Sequence, residues 1–190
     1  MFSKKLFVIG FVLTALVQLY VPANMIYNQE NILNTGAEFK FKAAPIDPND
    51  PFRGKYITLR FEAVNFTVQN KNEWTINEEV YVQLGKDSTG FAKIKSVSKK
   101  KPDNQDYIKA NIAFLTNDRT NNLRIQYPFD RFYMEESKAQ AAENMYRESI
   151  IDSTKIAYAL VNVKQGYAVI SDVMIDGQSI SELVRARQNK

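Results

Sequence analysis

Two aspartates three positions apart, Asp47 and Asp50, sit in the stretch PIDPNDPFRGKYITLRF that runs from Pro45 to Phe61. Carboxylates at that spacing can share a proton or supply oxygens to calcium. A calcium loop recruits several more oxygens at close spacing, and Asn49 is the one further local candidate. Each aspartate also precedes a proline, Pro48 or Pro51, which pushes its backbone toward extended conformations and stiffens a turn. The pattern favours turn chemistry over a metal site. Arg53 follows, with Gly54 free to turn the chain. A second arginine, Arg131, stands in a similar mixture of charge and aromatics, from Phe129 through Tyr133 to Glu135 and Glu136. Bidentate pairing of these arginines with Asp50, Glu135 or Glu136 would clamp the proline turn onto the segment around residue 131. The other use of such a pair is to hold an anionic ligand or a phospholipid headgroup.

Ser96 and Lys99 have the S-x-x-K spacing of some serine acyltransferases, and a Ser-Lys, signal-peptidase-like hydrolase would use the same pair. Those sites open a helix, whereas this stretch ends a strand before the basic run Lys99-Lys100-Lys101. The chain has no histidine and no cysteine. That excludes Ser-His-Asp and Cys-His nucleophiles, histidine-ligated zinc, thiolate metal sites and disulfides. No catalytic residue, cofactor or metal is assigned, and the protein is expected not to be an enzyme. Trp74, Tyr127, Phe129, Phe132 and Tyr133 are expected to be mainly core or loop-pinning residues, with a contact patch for a partner or the bilayer as their other use.

These residues need a scaffold, and 190 residues at 45% hydrophobic and 12% aromatic can bury one core. The formal net charge of +4 is spread among 21 acids, so nucleic acid is not an expected partner. Leu6 to Val21 is an apolar run preceded by Lys4 and Lys5. A cleaved signal with its site after Ala23 would look similar. Carried on to Tyr27, however, the run spans about 33 Å as a helix, enough for a hydrocarbon layer of about 30 Å. Tyr20 and Tyr27 suit an interfacial belt, and Asn34-Thr35-Gly36 supplies a helix stop. A retained anchor over residues 1–35 is preferred, its N-terminus held in the cytoplasm by Lys4 and Lys5. A β-rich extracytoplasmic domain, residues 36–190, follows.

Alternation predicts strands over 37–43 and 55–63, with a β-bulge at 62–64 where the apolar parity slips past Ala63 to Val64, Phe66 and Val68. A hairpin joins 76–84 to 91–97, further strands cover 107–115 and 123–127, and a second hairpin joins 155–163 to 167–175. Residues 135–149 read as the one internal helix, and Ser179 with Glu182 offers a capping box for a short closing helix. The sum is seven or eight strands in a mainly β, α+β chain. Its architecture is an antiparallel curved sheet or small barrel-like domain behind a long transmembrane helix.

An apolar anchor followed by DPxDPFRGxYxxLxF resembles the bacterial membrane-anchored GDYXXLXY family. Gly54, Tyr56 and Leu59 match its signature, while Lys55 stands where the signature has Asp and Phe61 where it has Tyr. Further likenesses are EVYVQL from Glu79 with TGFA from Thr89, the Asp130–Glu136 segment, and Met174-Ile175-Asp176-Gly177. Asp47, Asp50, Pro51, Arg53, Arg131, Tyr133, Glu135 and Glu136 belong to the matching segments as structural residues. The resemblance implies a single-pass protein of the inner membrane that accompanies a multi-span membrane protein, and it brings no catalytic residues. A non-catalytic accessory or structural role is therefore the expectation. The alternative is a module binding a peptidoglycan or lipid fragment near Arg53 and Arg131.

Overall fold

The computed structural model describes residues 4–44, 56–103, 106–116, 121–152 and 154–188. Helix α1 (Lys4–Thr35) runs unbroken through Pro22. Its best stretch has a mean hydropathy of 2.1 and none of it is buried in the protein, as a helix long and apolar enough to cross a membrane requires. The helix ends at Gly36, whose N–H donates to the Ile32 carbonyl at 2.8 Å. A Cβ at position 36 would lie 2.6 Å from that oxygen and 3.0 Å from the Val163 carbonyl, so only glycine lets the helix end approach the sheet this closely.

The chain continues as β1 (Ala37–Lys42), β2 (Tyr56–Thr58), β3 (Asn65–Thr67), β4 (Glu79–Lys86), β5 (Ala92–Ser98), β6 (Tyr107–Leu115), β7 (Asn122–Gln126) and β8 (Arg131–Tyr133). Helix α2 (Glu136–Ile151) leads into β9 (Ala157–Lys164), β10 (Tyr167–Ile175), β11 (Gln178–Ser179) and helix α3 (Ile180–Gln188). One sheet has the order β1-β9-β10-β11 and another β3-β7-β6-β4-β5, while β2 and β8 form a ribbon. All pairings within them are antiparallel. Single bridges from Lys40 to Phe91 and from Ile108 to Gly166 join the two larger sheets into a nearly closed barrel.

Alternation places the core. Phe39 and Phe41 on β1, Val80, Val82 and Leu84 on β4, and Val161 and Val163 on β9 are all buried. Phe41 is the centre of an aromatic node, with ring centroids 5.2 Å from Phe61, 5.3 Å from Tyr127 and 5.4 Å from Phe129. Helix α2 covers one end with Ala139, Ala142 and Tyr146, and α3 closes against it through Ile180 and Val184. Ser179 caps α3 by accepting from the Ser181 N–H at 3.2 Å.

The stretch after the proline turn departs from expectation. It is not one bulged strand. Tyr56–Thr58 pairs with β8, Leu59 donates to the Asp130 carbonyl at 2.7 Å, and Arg60 and Glu62 then bond to the end of β1 at Ala44 and Lys42. At 62–64 the chain turns, with Val64 N–H to Glu62 O at 2.8 Å, before entering β3 in another sheet. Ile57, Leu59 and Phe61 are nevertheless all buried. Extended backbone keeps its period of two whichever strand it pairs with, so alternation reports the face and not the partner. Register shifts occur instead at Gln83/Leu84, Ile112/Phe114 and Ile170/Asp172. Among the described residues, eleven strands exceed the expected seven or eight because β3, β8 and β11 are two or three residues long, below the length at which a period is visible.

Candidate functional site at the helix–domain junction

Helix α1 changes character after Tyr27, where Asn28, Gln29, Glu30 and Asn31 replace the apolar run. The edge of the barrel grips this last part. Asn162, a buried polar residue in the apolar run Ala157–Val163 of β9, donates to the Leu33 carbonyl at 3.1 Å. The Lys164 ammonium donates to Asn31 Oδ1 at 3.2 Å and to Thr35 Oγ1 at 2.6 Å. Ile32 is the buried residue of the helix. Since α1 exposes carbonyls in its last turn, the Asn162 amide satisfies one that the helix itself leaves open, while Lys164 binds side-chain oxygens of the same turn.

Two grooves flank the gripped turn. One, of about 460 Å³, is walled by Gln29, by residues 128–133 and by Ala168–Ile170 of β10. The other, of about 350 Å³, lies between Asn28, Asn31 and Ile32 of the helix and Lys164, Gln165 and Tyr167 of the β9–β10 turn. Tyr167 is 70% exposed, and Tyr133 is 65% exposed. Arg131 lies 4.9 Å above the ring of Tyr56, whose centroid is 5.4 Å from that of Tyr133. The Tyr133 hydroxyl, then Tyr56 and Asp130, all favour the charged form of this guanidinium; its Nε is 3.6 Å from Asp130. The result is a cation framed by two phenols at the mouth of a groove. Such a site can receive a phosphate or carboxylate by charge and hydrogen bonding.

The matching segments divide between this site and the core. Tyr56, Arg131 and Tyr133 meet at the groove, whereas Leu59 and Phe61 are buried. Asp47, Asp50, Pro51, Arg53 and Gly54 lie outside the described residues, so the proposed clamp through Arg53 and Asp50 does too. The pairing of Arg131 with Glu135 or Glu136 is not formed. Arg131 takes Asp130, Tyr56 and Tyr133, while Glu135 binds Ser137 Oγ at 2.9 Å and the Lys138 ammonium. Lys138 is one helical turn away and Arg131 is on a strand before the turn, so the local pair wins. The Lys138 ammonium holds the Glu135 carboxyl below its ordinary range. Glu136 opens α2.

Ser96 and Lys99 do not form a dyad. Ser96 Oγ donates to Gln83 Oε1 at 2.7 Å, and Lys99 pairs with Glu78 at 2.6 Å and lies 5.2 Å from the ring of Trp74. Trp74 is half-buried, Tyr127 and Phe129 are core, and Tyr133 alone of the aromatic cluster is fully at the surface. Among the described residues no group of three acidic side chains could hold a metal ion. Sequence reasoning missed Gln29, Asn162, Lys164 and Tyr167. Asn162 was visible as the lone amide in the apolar run from Ala157 to Val163, while Tyr167 looked like any strand-end aromatic.

Residues 18–173 match the family described as GDYXXLXY protein. The chain belongs to the GDYXXLXY family. No curated protein and no solved structure matches it. The matched range takes in the second half of α1, both grooves and the β9–β10 hairpin, so the GDYXXLXY unit includes the junction as well as the barrel. Of the signature positions in this GDYXXLXY chain, those of Leu59 and Phe61 are packing positions and that of Tyr56 is half-buried under Arg131.

Proposed function

We propose that this GDYXXLXY protein is a single-pass, non-catalytic accessory protein of the cytoplasmic membrane. Its N-terminus lies inside, and it presents the β-domain on the far side to a multi-span membrane protein. The observation that carries the reading is the junction. An apolar helix passes without a linker into a domain that grips its last turn through Asn162, Lys164 and the contact at Gly36. A catalytic or capturing domain works equally well on a flexible tether, whereas a rigid mount fixes height and bearing, as docking to a partner in the same bilayer requires. Lys4 and Lys5 ahead of the apolar run support the inside position of the N-terminus. Purification of the full chain in mild detergent after crosslinking should recover a multi-span membrane protein. Recovery of the chain alone at full crosslinking efficiency would overturn the reading.

The groove at Arg131 favours a second reading, a module for an anionic envelope fragment of peptidoglycan or lipid. Binding of such a fragment that is lost in Arg131→Gln, with the fold intact, would put this reading first.

A further inference from the structure

A hydrocarbon layer of about 30 Å takes about 20 residues of helix, and each headgroup layer, about 5–8 Å deep, takes about four or five more. With Lys4 and Lys5 at one surface, the apolar part of α1 runs from Leu6 to about Met25, and the headgroup layer covers about residues 26–30. That is the level of the two grooves. Asn28 faces Gln165 and Tyr167, and Gln29 shares its groove with Arg131 and Tyr133. The barrel therefore cannot stand clear of the surface, because its own side chains flank the helix where the helix is still among headgroups.

We propose that the domain is seated in the bilayer surface. The β9–β10 tip, with Tyr167, and the flank bearing Arg131 and Tyr133 occupy the phospholipid headgroup layer on either side of α1. This rests on the anchored reading of α1. Phenols favour that depth, with the ring toward the acyl chains and the hydroxyl toward water. The charges fit as well. The Lys164 ammonium is held by the neutral Asn31 and Thr35, so its charge is free to face lipid phosphate. Arg131 is offset by Asp130 at the longer distance of 3.6 Å. The polar helix turn 28–31, too hydrophilic for hydrocarbon, is flanked on two sides by groups suited to the same layer.

The chain has no cysteine, so single labelling sites can be placed without background. Tyr167→Cys and Ile156→Cys are both at exposed positions, at opposite ends of the β9–β10 hairpin. About eight residues of strand, roughly 25 Å, separate their levels. With the full chain in nanodiscs of phosphatidylcholine and phosphatidylglycerol, a nitroxide at 167 should be several-fold less accessible to a water-soluble nickel chelate than one at 156. Tyr167→Trp in a Trp74→Phe background should likewise be quenched by headgroup-labelled lipid, with Ile156→Trp in that background unaffected. Equal chelate access, or no quenching of the Tyr167→Trp variant, in a chain that resists alkaline carbonate extraction overturns the seating and leaves the anchor intact. Release of the chain by carbonate overturns the anchored reading itself.

Discussion

The segments around 56–61 and 127–133 each contribute to two aromatic clusters, and the clusters end in opposite surroundings. Phe61, Tyr127 and Phe129 close around Phe41, all at most 8% exposed. At the other end of the same pairing, Tyr56 is half-buried beneath Arg131 and Tyr133 lies at the surface beside it. The same residue chemistry thus serves packing at one end of the ribbon and, at the other, leaves a cation and the Tyr133 phenol exposed over a half-buried Tyr56. The signature is divided along that line. Its Leu59 and Phe61 positions specify a barrel, and its Tyr56 position underlies the exposed cation.

Phe41→Ala should have the largest effect, about 3–5 kcal/mol of lost stability, since it empties the centre of the buried node. Chemical denaturation of the full chain in detergent measures it. Tyr133→Ala, at 65% exposure, should cost less than about 1 kcal/mol. Comparable losses would break the distinction between the clusters. Tyr127→Phe should cost about 1 kcal/mol, because the hydroxyl donates to the Ala63 carbonyl at 2.6 Å and its removal leaves that oxygen without its donor.

Alkaline pH sharpens the contrast differently. Burial pushes the phenols of Tyr127 and Tyr146 well above the ordinary value of 10.0. The folded chain keeps these protons where the unfolded chain releases them, so the contribution is whole below that pH and declines as pH rises through and beyond it. Tyrosinate absorbance from these two residues should therefore appear together with unfolding, and a Tyr127→Phe variant should lose part of the alkaline sensitivity. The smallest effect belongs to the surface cluster. A double-mutant cycle of Arg131→Ala with Tyr56→Leu should give a coupling of about 0.5–1 kcal/mol, as exposed cation–π pairs do.

The barrel was legible where strands are long. Hydrophobic alternation over β4, β6, β9 and β10 located hairpins and core faces to within two or three residues, because each strand carries several periods. The crossing of residues 59–64 from ribbon to β1 to β3 was not legible, since alternation is blind to which strand supplies the hydrogen bonds. The site was half legible. Arg131 and Tyr133 stood out by composition, but their meeting with Tyr56 and Gln29 depends on contacts distant in sequence. The pairing of Arg131 with Glu135 or Glu136 was expected from proximity alone. Glu135 is taken instead by Lys138, which shares the first turn of the helix with it.

The absence of a linker at Gly36 turns chain length into an angular setting. Each residue of α1 between the bilayer and its gripped turn adds about 1.5 Å of height and about 100° of rotation. A single insertion near Asn24 would swing Tyr167 and Arg131 to a different compass bearing around the helix, while seven inserted residues would return them to within about 20° of the original azimuth, merely lifted. Two chains of almost identical composition could then point the same face at different neighbours in the membrane.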